Sequence, residues 1–134
     1  MFVKNIAMAK QFAEIHKNQE KFLKKVWPGK VTVILKRKNP PKLAKELGAI
    51  KTLGIRIPNH DLMQSILRKL NRPLAQTSVN ISNKPAMARV QDMVELFSEK
   101  KYKPDLVIDA GVLPQSLPSK VIDYTGKTQK VLRK

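Results

Sequence analysis

The clearest pattern in the chain is an alternation of small or apolar side chains with polar ones over residues 74–81. The first set is Ala75, Thr77, Val79 and Ile81, and the second is Gln76, Ser78 and Asn80. A period of two predicts a β-strand with one buried face. The turn-forming residues 82–85 then place Ser78 and Asn80 at the carboxyl end of that strand, where α/β sheets bind ligands. The same two side chains could equally be the solvated face of the strand.

Five further segments predict strands. The β-branched run at residues 31–35 is typical of a strand covered on both faces by helices. Residues 52–58 alternate, and residues 106–110 form an apolar run that ends at Gly111. Residues 121–124 and 131–133 predict two strands joined by a turn at Thr125-Gly126.

Apolar residues at helical spacing predict helices between these strands, at residues 4–17, 22–26, 42–47, 62–70 and 90–97. The sequence Trp27-Pro28-Gly29 ends the second helix. In the fourth, the predicted inward face carries Leu62, Ile66 and Leu70, and in the fifth it carries Met93, Val94 and Phe97. Because helices and strands alternate, the fold class is α/β.

Composition limits the class of protein. A chain of 134 residues that is 42% apolar fits one domain. It contains no apolar run of membrane-spanning length and no secretory signal, and it lacks cysteine, so we expect a cytoplasmic protein without disulfides or a thiolate nucleophile.

The net charge of +17 favours a polyanionic partner. Residues 1–48 carry 12 basic and 3 acidic side chains and residues 49–134 carry 15 and 7, so the charge is not confined to a tail. The alternative is that exposed lysines only solvate the surface. Aromatic residues are few and do not interleave with the basic runs, which argues against stacking on single strands.

Arg56 is the candidate anion-binding residue of the 52–58 segment. Its guanidinium follows Gly54 on the same strand face, which leaves room for a planar anion to bind in a fork. The alternative is an ion pair with a carboxylate such as Asp109 or Asp123. His60 is interpreted as a neighbour of a helix cap.

Five motifs, in order along the chain, resemble the YrdC-like threonylcarbamoyl-adenylate synthases. They are Trp27-Pro28-Gly29, Gly54-Ile55-Arg56-Ile57-Pro58, Thr77-Ser78-Val79-Asn80-Ile81-Ser82, Leu117-Pro118-Ser119 and Val131-Leu132-Arg133. The resemblance implies a twisted, mixed sheet flanked by helices around a positively charged cavity. It also implies synthesis of threonylcarbamoyl-AMP from L-threonine, bicarbonate and ATP, with pyrophosphate release, for t6A formation at position 37 of tRNA, and an affinity for double-stranded RNA or tRNA.

The same resemblance implies roles for individual residues. Arg56, Ser78 and Ser119 correspond to L-threonine contacts. Thr52, Asn80 and Arg133 correspond to nucleotide-side positions, with ATP as a substrate together with Mg²⁺. No side chain corresponds to a catalytic nucleophile or to a protein ligand of a metal, so the chemistry would depend on positioning and electrostatics.

The chain also departs from the family pattern. The family's opening Thr-Glu-Thr-x-Tyr-Gly-Leu segment and its Lys-x-Arg phosphate motif are absent, and the basic run at residues 36–38 follows Trp27-Pro28-Gly29 instead of preceding it. Ala88 and Lys120 replace residues that usually carry hydroxyls. We therefore expect a single YrdC-like domain over residues 1–134, truncated at its amino end. It is either part of a complete enzyme or a reduced, non-catalytic module that binds RNA.

Overall fold

The structure is a computed structural model that describes residues 1–38, 50–80, 86–114 and 116–134. It comprises two compact units, the first formed by Met1–Gln76 with Pro118–Lys134 and the second by Thr77–Leu117. The single domain expected over residues 1–134 stays a prediction.

A mixed sheet forms the first unit. Its strands within the described ranges are β1 (Val31–Lys36), β2 (Thr52–Ile55), β3 (Lys120–Asp123) and β4 (Lys130–Arg133), in the order β2-β1-β3-β4. β1 runs antiparallel to β2 and parallel to β3, and β3 runs antiparallel to β4. The predicted α/β class and mixed sheet are confirmed, as are the strands expected in these four segments.

The first residues of the chain continue the sheet beyond the free edge of β2. Phe2 forms β-bridges with Arg56 and with Leu74. The Arg56 N–H donates to the Met1 carbonyl at 3.0 Å, and the Val3 N–H donates to the Arg56 carbonyl at 3.1 Å. The backbone of Arg56 is therefore held by two hydrogen bonds although Arg56 lies outside the strand.

Two helices precede the sheet. α1 (Ile6–Phe12) begins at Asn5, whose side chain accepts from the Met8 N–H at 2.8 Å, and α2 (Lys17–Val26) ends before Trp27. The helix predicted over residues 4–17 is wrong beyond Phe12. The chain there becomes extended, because Ala13 forms a bridge with Arg37 and pairing with the end of β1 replaces the helical hydrogen bonds.

The core of the first unit joins these helices to the sheet. Its buried apolar side chains come from α1, α2, β1 and β2, from the segments next to them and from Tyr124 after β3, and they form one cluster. Leu23, Val33, Leu35 and Ile55 are fully buried in it. Leu53 and Ile57 are also buried, which confirms the apolar face predicted for residues 52–58.

The third helix, α3 (Asp61–Leu70), buries a different face from the one predicted. Leu62 and Leu70 are 47% and 52% exposed, whereas Leu67 is fully buried. Met63 and Ile66 are half-buried, and Met63 shares a helical stripe with Leu67 at the i, i+4 spacing. The four-residue spacing of apolar side chains predicted the wrong buried face, because this short helix carries apolar residues on more than one side.

The second unit contains α4 (Val90–Ser98), with Met93 and Phe97 half-buried and Val94 exposed, although all three were predicted to face inward. No helix in the described ranges is long and apolar enough to cross a membrane. The helix predicted at residues 42–47 lies outside the described residues.

Two of the predicted strands are wrong. Residues 75–80 and 106–110 are not strands, and Leu106 and Ile108 are 79% and 59% exposed. Ser78 instead donates its hydroxyl to the Asn80 side chain, a local bond that competes with pairing to another strand. An alternating or apolar pattern becomes a strand only where a partner backbone is available. Residue 81 lies outside the described residues.

The burial of α3 yields a stability prediction. Leu67→Ala should lower the free energy of unfolding by about 2–5 kcal/mol, because it removes a fully buried side chain and leaves a cavity. Leu70→Ala, on the exposed side of the same helix, is the matched control and should cost less than about 1 kcal/mol. Urea denaturation of the two variants measures both values. A larger loss for the Leu70 variant would contradict the observed orientation of α3.

Candidate functional site

Arg56 is held in one orientation by three contacts. Its Nε donates to the Gly29 carbonyl at 2.7 Å, its Nη1 donates to the Ser119 hydroxyl oxygen, and its guanidinium lies 5.6 Å from the centre of the Phe2 ring. The side chain is half-buried, and this burial lowers the pKa of Arg56 from its ordinary value. An arginine stays protonated at neutral pH even so, and it therefore carries a partly desolvated positive charge.

Ser119 joins Arg56 to a second arginine. The Ser119 carbonyl accepts from the Nε and the Nη2 of Arg133, at 2.9 and 2.7 Å, while its hydroxyl oxygen accepts from Arg56. Two guanidinium groups are therefore bound to one residue. Within the described residues neither group forms an ion pair with a carboxylate.

Arg56 forms no ion pair with Asp109 or Asp123, the two carboxylates considered as its partners. Asp123 accepts from the backbone N–H and the hydroxyl of Thr125, at 2.9 and 2.8 Å, and these two bonds lower its pKa. Asp109 accepts from the N–H of Gly111 at 2.8 Å. The partners of the Arg56 side chain are thus a carbonyl, a hydroxyl and an aromatic ring.

This arrangement leaves donors free for an anion. Within the described residues the Nη2 of Arg56 and the Nη1 of Arg133 have no hydrogen-bond acceptor, and the Ser119 hydroxyl has its proton to donate. A guanidinium with a neighbouring hydroxyl matches the two oxygens of a carboxylate. A second guanidinium nearby can compensate the charge of a phosphate.

The mixed sheet brings these residues to one of its ends. Ser119 precedes β3, and its neighbour Lys120 donates its N–H to the Lys30 carbonyl, before β1, at 3.0 Å. Arg56 follows β2, and Arg133 ends β4 in register with Val121. Since β2 and β4 run opposite to β1 and β3, the ends of one pair meet the beginnings of the other pair at this site.

Of the remaining predicted site residues, one lies in the first unit and two in the second. Thr52 begins β2, where it is exposed and opposite Lys36, at the other end of the sheet from Ser119. Ser78 and Asn80 belong to the second unit and are hydrogen-bonded to each other. The first unit thus brings together Arg56, Ser119 and Arg133 but not Thr52.

The sequence did not indicate two of the groups that orient Arg56. Phe2 reaches it from the start of the chain, and no local pattern marks that contact. Gly29 acts through its carbonyl, which every residue type carries, and its motif indicated the end of a helix and the family but no contact with Arg56. A Cβ on Gly29 would lie 2.6 Å from the Val26 carbonyl oxygen, so the close approach itself requires glycine.

A family model for the Sua5, YciO and YrdC proteins, described as telomere recombination, matches residues 1–134. The chain belongs to this family. The resemblance inferred from the five sequence motifs is therefore confirmed.

Relatives in the Sua5/YciO/YrdC family include enzymes. The threonylcarbamoyl-AMP synthase of Pyrococcus abyssi is 31% identical over 121 residues, which are 90% of this chain and 34% of that protein. The crystal structure of P. abyssi Sua5 complexed with L-threonine is similar at a TM-score of 0.80 and 26% identity, covering 98% of this chain and 38% of that one.

Escherichia coli YciO is another structural relative, with a TM-score of 0.80, 25% identity and coverage of 96% of this chain and 61% of that one. These similarities confirm the YrdC-like fold. The chain spans about a third of the length of the first curated relatives it matches.

The contacts of Gly29 yield a second stability prediction. Gly29→Ala should lower the free energy of unfolding by about 1–3 kcal/mol, because the new methyl group would overlap the Val26 carbonyl. Gly126→Ala is the matched control, since a Cβ there meets nothing within 4 Å among the described residues, and it should change stability by less than about 0.5 kcal/mol. Denaturant melts compare the two. If both variants lose the same free energy of unfolding, the close contact between Gly29 and the Val26 carbonyl does not contribute to the stability of the protein.

Proposed function

We propose that this chain acts in the synthesis of threonylcarbamoyl-AMP from L-threonine, bicarbonate and ATP, with release of pyrophosphate, in the pathway to t6A in tRNA. The observation that carries the proposal is the pair of guanidinium groups bound to Ser119, neither of which has a carboxylate partner among the described residues. The threonylcarbamoyl-AMP synthases among its relatives, and the complex of P. abyssi Sua5 with L-threonine, support the choice of reaction and substrate.

In this proposal the L-threonine carboxylate binds to Arg56 and Ser119. The free Nη2 of Arg56 and the Ser119 hydroxyl each donate to one carboxylate oxygen, and the contact of Arg56 with Gly29 holds the fork in place. Arg56 is oriented and partly desolvated before the substrate binds. Binding therefore costs little side-chain conformational entropy at this residue. Ser78 is proposed as an L-threonine contact from the family resemblance alone.

The nucleotide side uses Arg133. Asn80 and Thr52 are proposed as nucleotide contacts from the family resemblance alone, since Thr52 lies at the other end of β2 and Asn80 belongs to the second unit. Arg133 is bound to the Ser119 carbonyl and keeps one Nη for a phosphate oxygen. The described residues contain no group of three His, Cys, Asp or Glu side chains that could hold a metal ion. The proposed Mg²⁺ would therefore enter on the phosphates of ATP.

The chemistry requires positioning more than acid–base groups. The amine of threonine forms a bond to the carbon of bicarbonate, and loss of water leaves a carbamate. A carbamate oxygen then attacks the α-phosphorus of ATP while the bond to the bridging oxygen of the β-phosphate breaks and pyrophosphate leaves. Both reacting groups are anionic, so cations that hold them together lower the barrier. Arg56 and Arg133, joined through Ser119, supply two such cations.

Binding of L-threonine tests the role of Arg56. Arg56→Lys should weaken L-threonine binding at least about tenfold, because an ammonium group cannot reproduce the planar fork. Isothermal titration calorimetry of the chain with L-threonine measures this effect. L-Threoninamide should bind the unsubstituted chain about tenfold more weakly, since it lacks the carboxylate.

The control is Arg72→Lys, an exposed arginine after α3, which should leave L-threonine binding within about twofold of the unsubstituted chain. A thermal melt of each variant separates loss of binding from loss of folding. If Arg56→Lys and Arg72→Lys bind L-threonine equally well, Arg56 is not the carboxylate site.

A second candidate function, a non-catalytic module that binds double-stranded RNA or tRNA, is favoured by the charge of +17 distributed over both halves of the chain. Such a charge binds phosphates through released counterions and without reading bases. This candidate needs no turnover. It therefore differs from the first in predicting no pyrophosphate release that depends on L-threonine.

The salt dependence of RNA binding tests the second candidate. If the protein neutralises about five phosphates, a plot of log affinity against log salt should fall with a slope of about −4 to −5. Fluorescence anisotropy with duplex and single-stranded RNA of equal length measures the slope. A flat salt dependence would contradict phosphate binding, and tight binding of one sequence alone would indicate base recognition instead.

A further inference from the structure

A cavity lies in the first unit, at the end of the sheet away from Ser119. It has a volume of about 410 Å³, and its walls come from the start of α2, the end of β1 and the turn after β3. Ser119 precedes β3 whereas Tyr124 follows it, so the length of β3 separates this cavity from the proposed threonine site. Arg56, Ser119 and Arg133 do not belong to the lining of the cavity.

Hydrogen bonds fix the walls of the cavity. Gln19, a buried polar residue, donates its side-chain amide to the Tyr124 carbonyl at 2.7 Å and accepts from the His16 N–H at 2.8 Å. These bonds attach the start of α2 to the turn after β3. Thr125 is held in that turn by its two bonds to Asp123. The protein's own contacts therefore preform the cavity.

The charged groups that line the cavity are cationic. Lys36 and Lys127 contribute ammonium groups, and no Asp or Glu of the described residues belongs to the lining. Within the same part of the chain neither lysine is in an ion pair. Asp123, the carboxylate next to the cavity in sequence, already accepts two bonds from Thr125. An anionic ligand would therefore meet two ammonium groups that form no ion pair with a described carboxylate.

Neutral donors surround the two lysines. Asn18 and Gly126 belong to the lining and can contribute a side-chain amide and a backbone N–H, whereas the Thr125 hydroxyl already donates to Asp123. Apart from its two chain neighbours, no described residue has an atom within 4 Å of the position of a Cβ on Gly126, so a ligand can approach its backbone closely. Point charges from lysine combined with amide and backbone donors suit the several oxygens of a phosphate.

The size of the cavity favours more than a bare ion. A volume of about 410 Å³ lies within the usual range of about 300–1,000 Å³ for small-molecule sites. The Tyr124 ring is buried and packs edge-on against Phe22 with ring centres 5.6 Å apart, so it is not free to stack on a base. The phosphate, and not a base, would then be the recognised group.

We propose that this cavity is a second anion site that binds the phosphate of a nucleotide, either free or within an RNA backbone, independently of L-threonine. It is separate from the proposed synthase site and does not depend on that activity. In an RNA it would fix one backbone phosphate at a defined position, which a diffuse charge of +17 alone would not do.

Amide-resolved NMR titration tests the proposal. Inorganic phosphate, uridine monophosphate and an RNA duplex are each added to the ¹⁵N-labelled chain. The amides of Thr125, Gly126 and Lys127 should shift on addition of at least one ligand. The Lys36→Gln/Lys127→Gln double variant should bind the ligand that produces these shifts about tenfold more weakly. A tenfold loss corresponds to about one charge-assisted contact.

The matched control is Lys100→Gln/Lys101→Gln, which removes the same charge from exposed positions in the second unit. It should lower the affinity less than about twofold.

If the cavity variant binds both uridine monophosphate and RNA more weakly, the cavity is a nucleotide site. If it binds only RNA more weakly, the cavity contacts the RNA backbone. Equal weakening by the two double variants, or no shift at Gly126 with any ligand, would overturn the proposal. Unchanged L-threonine binding by the cavity variant separates this site from Arg56.

Discussion

The hydrogen bonds from two arginines to Ser119 are the interaction on which the proposed function depends. They hold two positive charges near one residue, in a part of the unit where Arg56 is half-buried and has no carboxylate partner among the described residues. Like charges held close together in a partly desolvated site raise its energy until an anion arrives. Binding of a carboxylate or a phosphate should therefore also stabilise the first unit.

This arrangement is assembled from distant parts of the chain. Phe2, Gly29, Arg56, Ser119 and Arg133 are spread over almost the whole sequence, and each is placed by a different strand or strand extension. No short segment could form the site alone, because the ends of β2 and β4 meet the starts of β1 and β3 only in the complete mixed sheet. A change in the packing at Gly29 should consequently affect both the stability of the unit and the orientation of Arg56.

The two ends of the same sheet offer different anion sites. At one end, planar guanidinium groups with fixed partners suit a carboxylate, which has a defined geometry. At the other end, two lysines that form no ion pair with any described residue line a cavity together with amide and backbone donors, an arrangement that suits a phosphate and tolerates several orientations. A substrate and an RNA phosphate could thus bind one unit without competing for residues.

The sequence by itself determined the family, the α/β class and the strands of the first unit, and it indicated Arg56, Ser119 and Arg133 as candidate site residues. These are properties of local patterns and of motifs whose order is preserved.

The sequence-based prediction was wrong where pairing with a distant segment decides whether a helix or a strand forms. Residues 4–17 stop being helical after Phe12 because Ala13 pairs with Arg37, and residues 106–110 resemble a strand in sequence but pair with no strand in the described part of the chain.

Three further features arise only in the folded unit. They are the buried stripe of α3, the contacts of Arg56 with Phe2 and the Gly29 carbonyl, and the cavity around Lys36 and Lys127. Each depends on atoms from distant segments, whose meeting is set by the tertiary structure and not by neighbours in sequence.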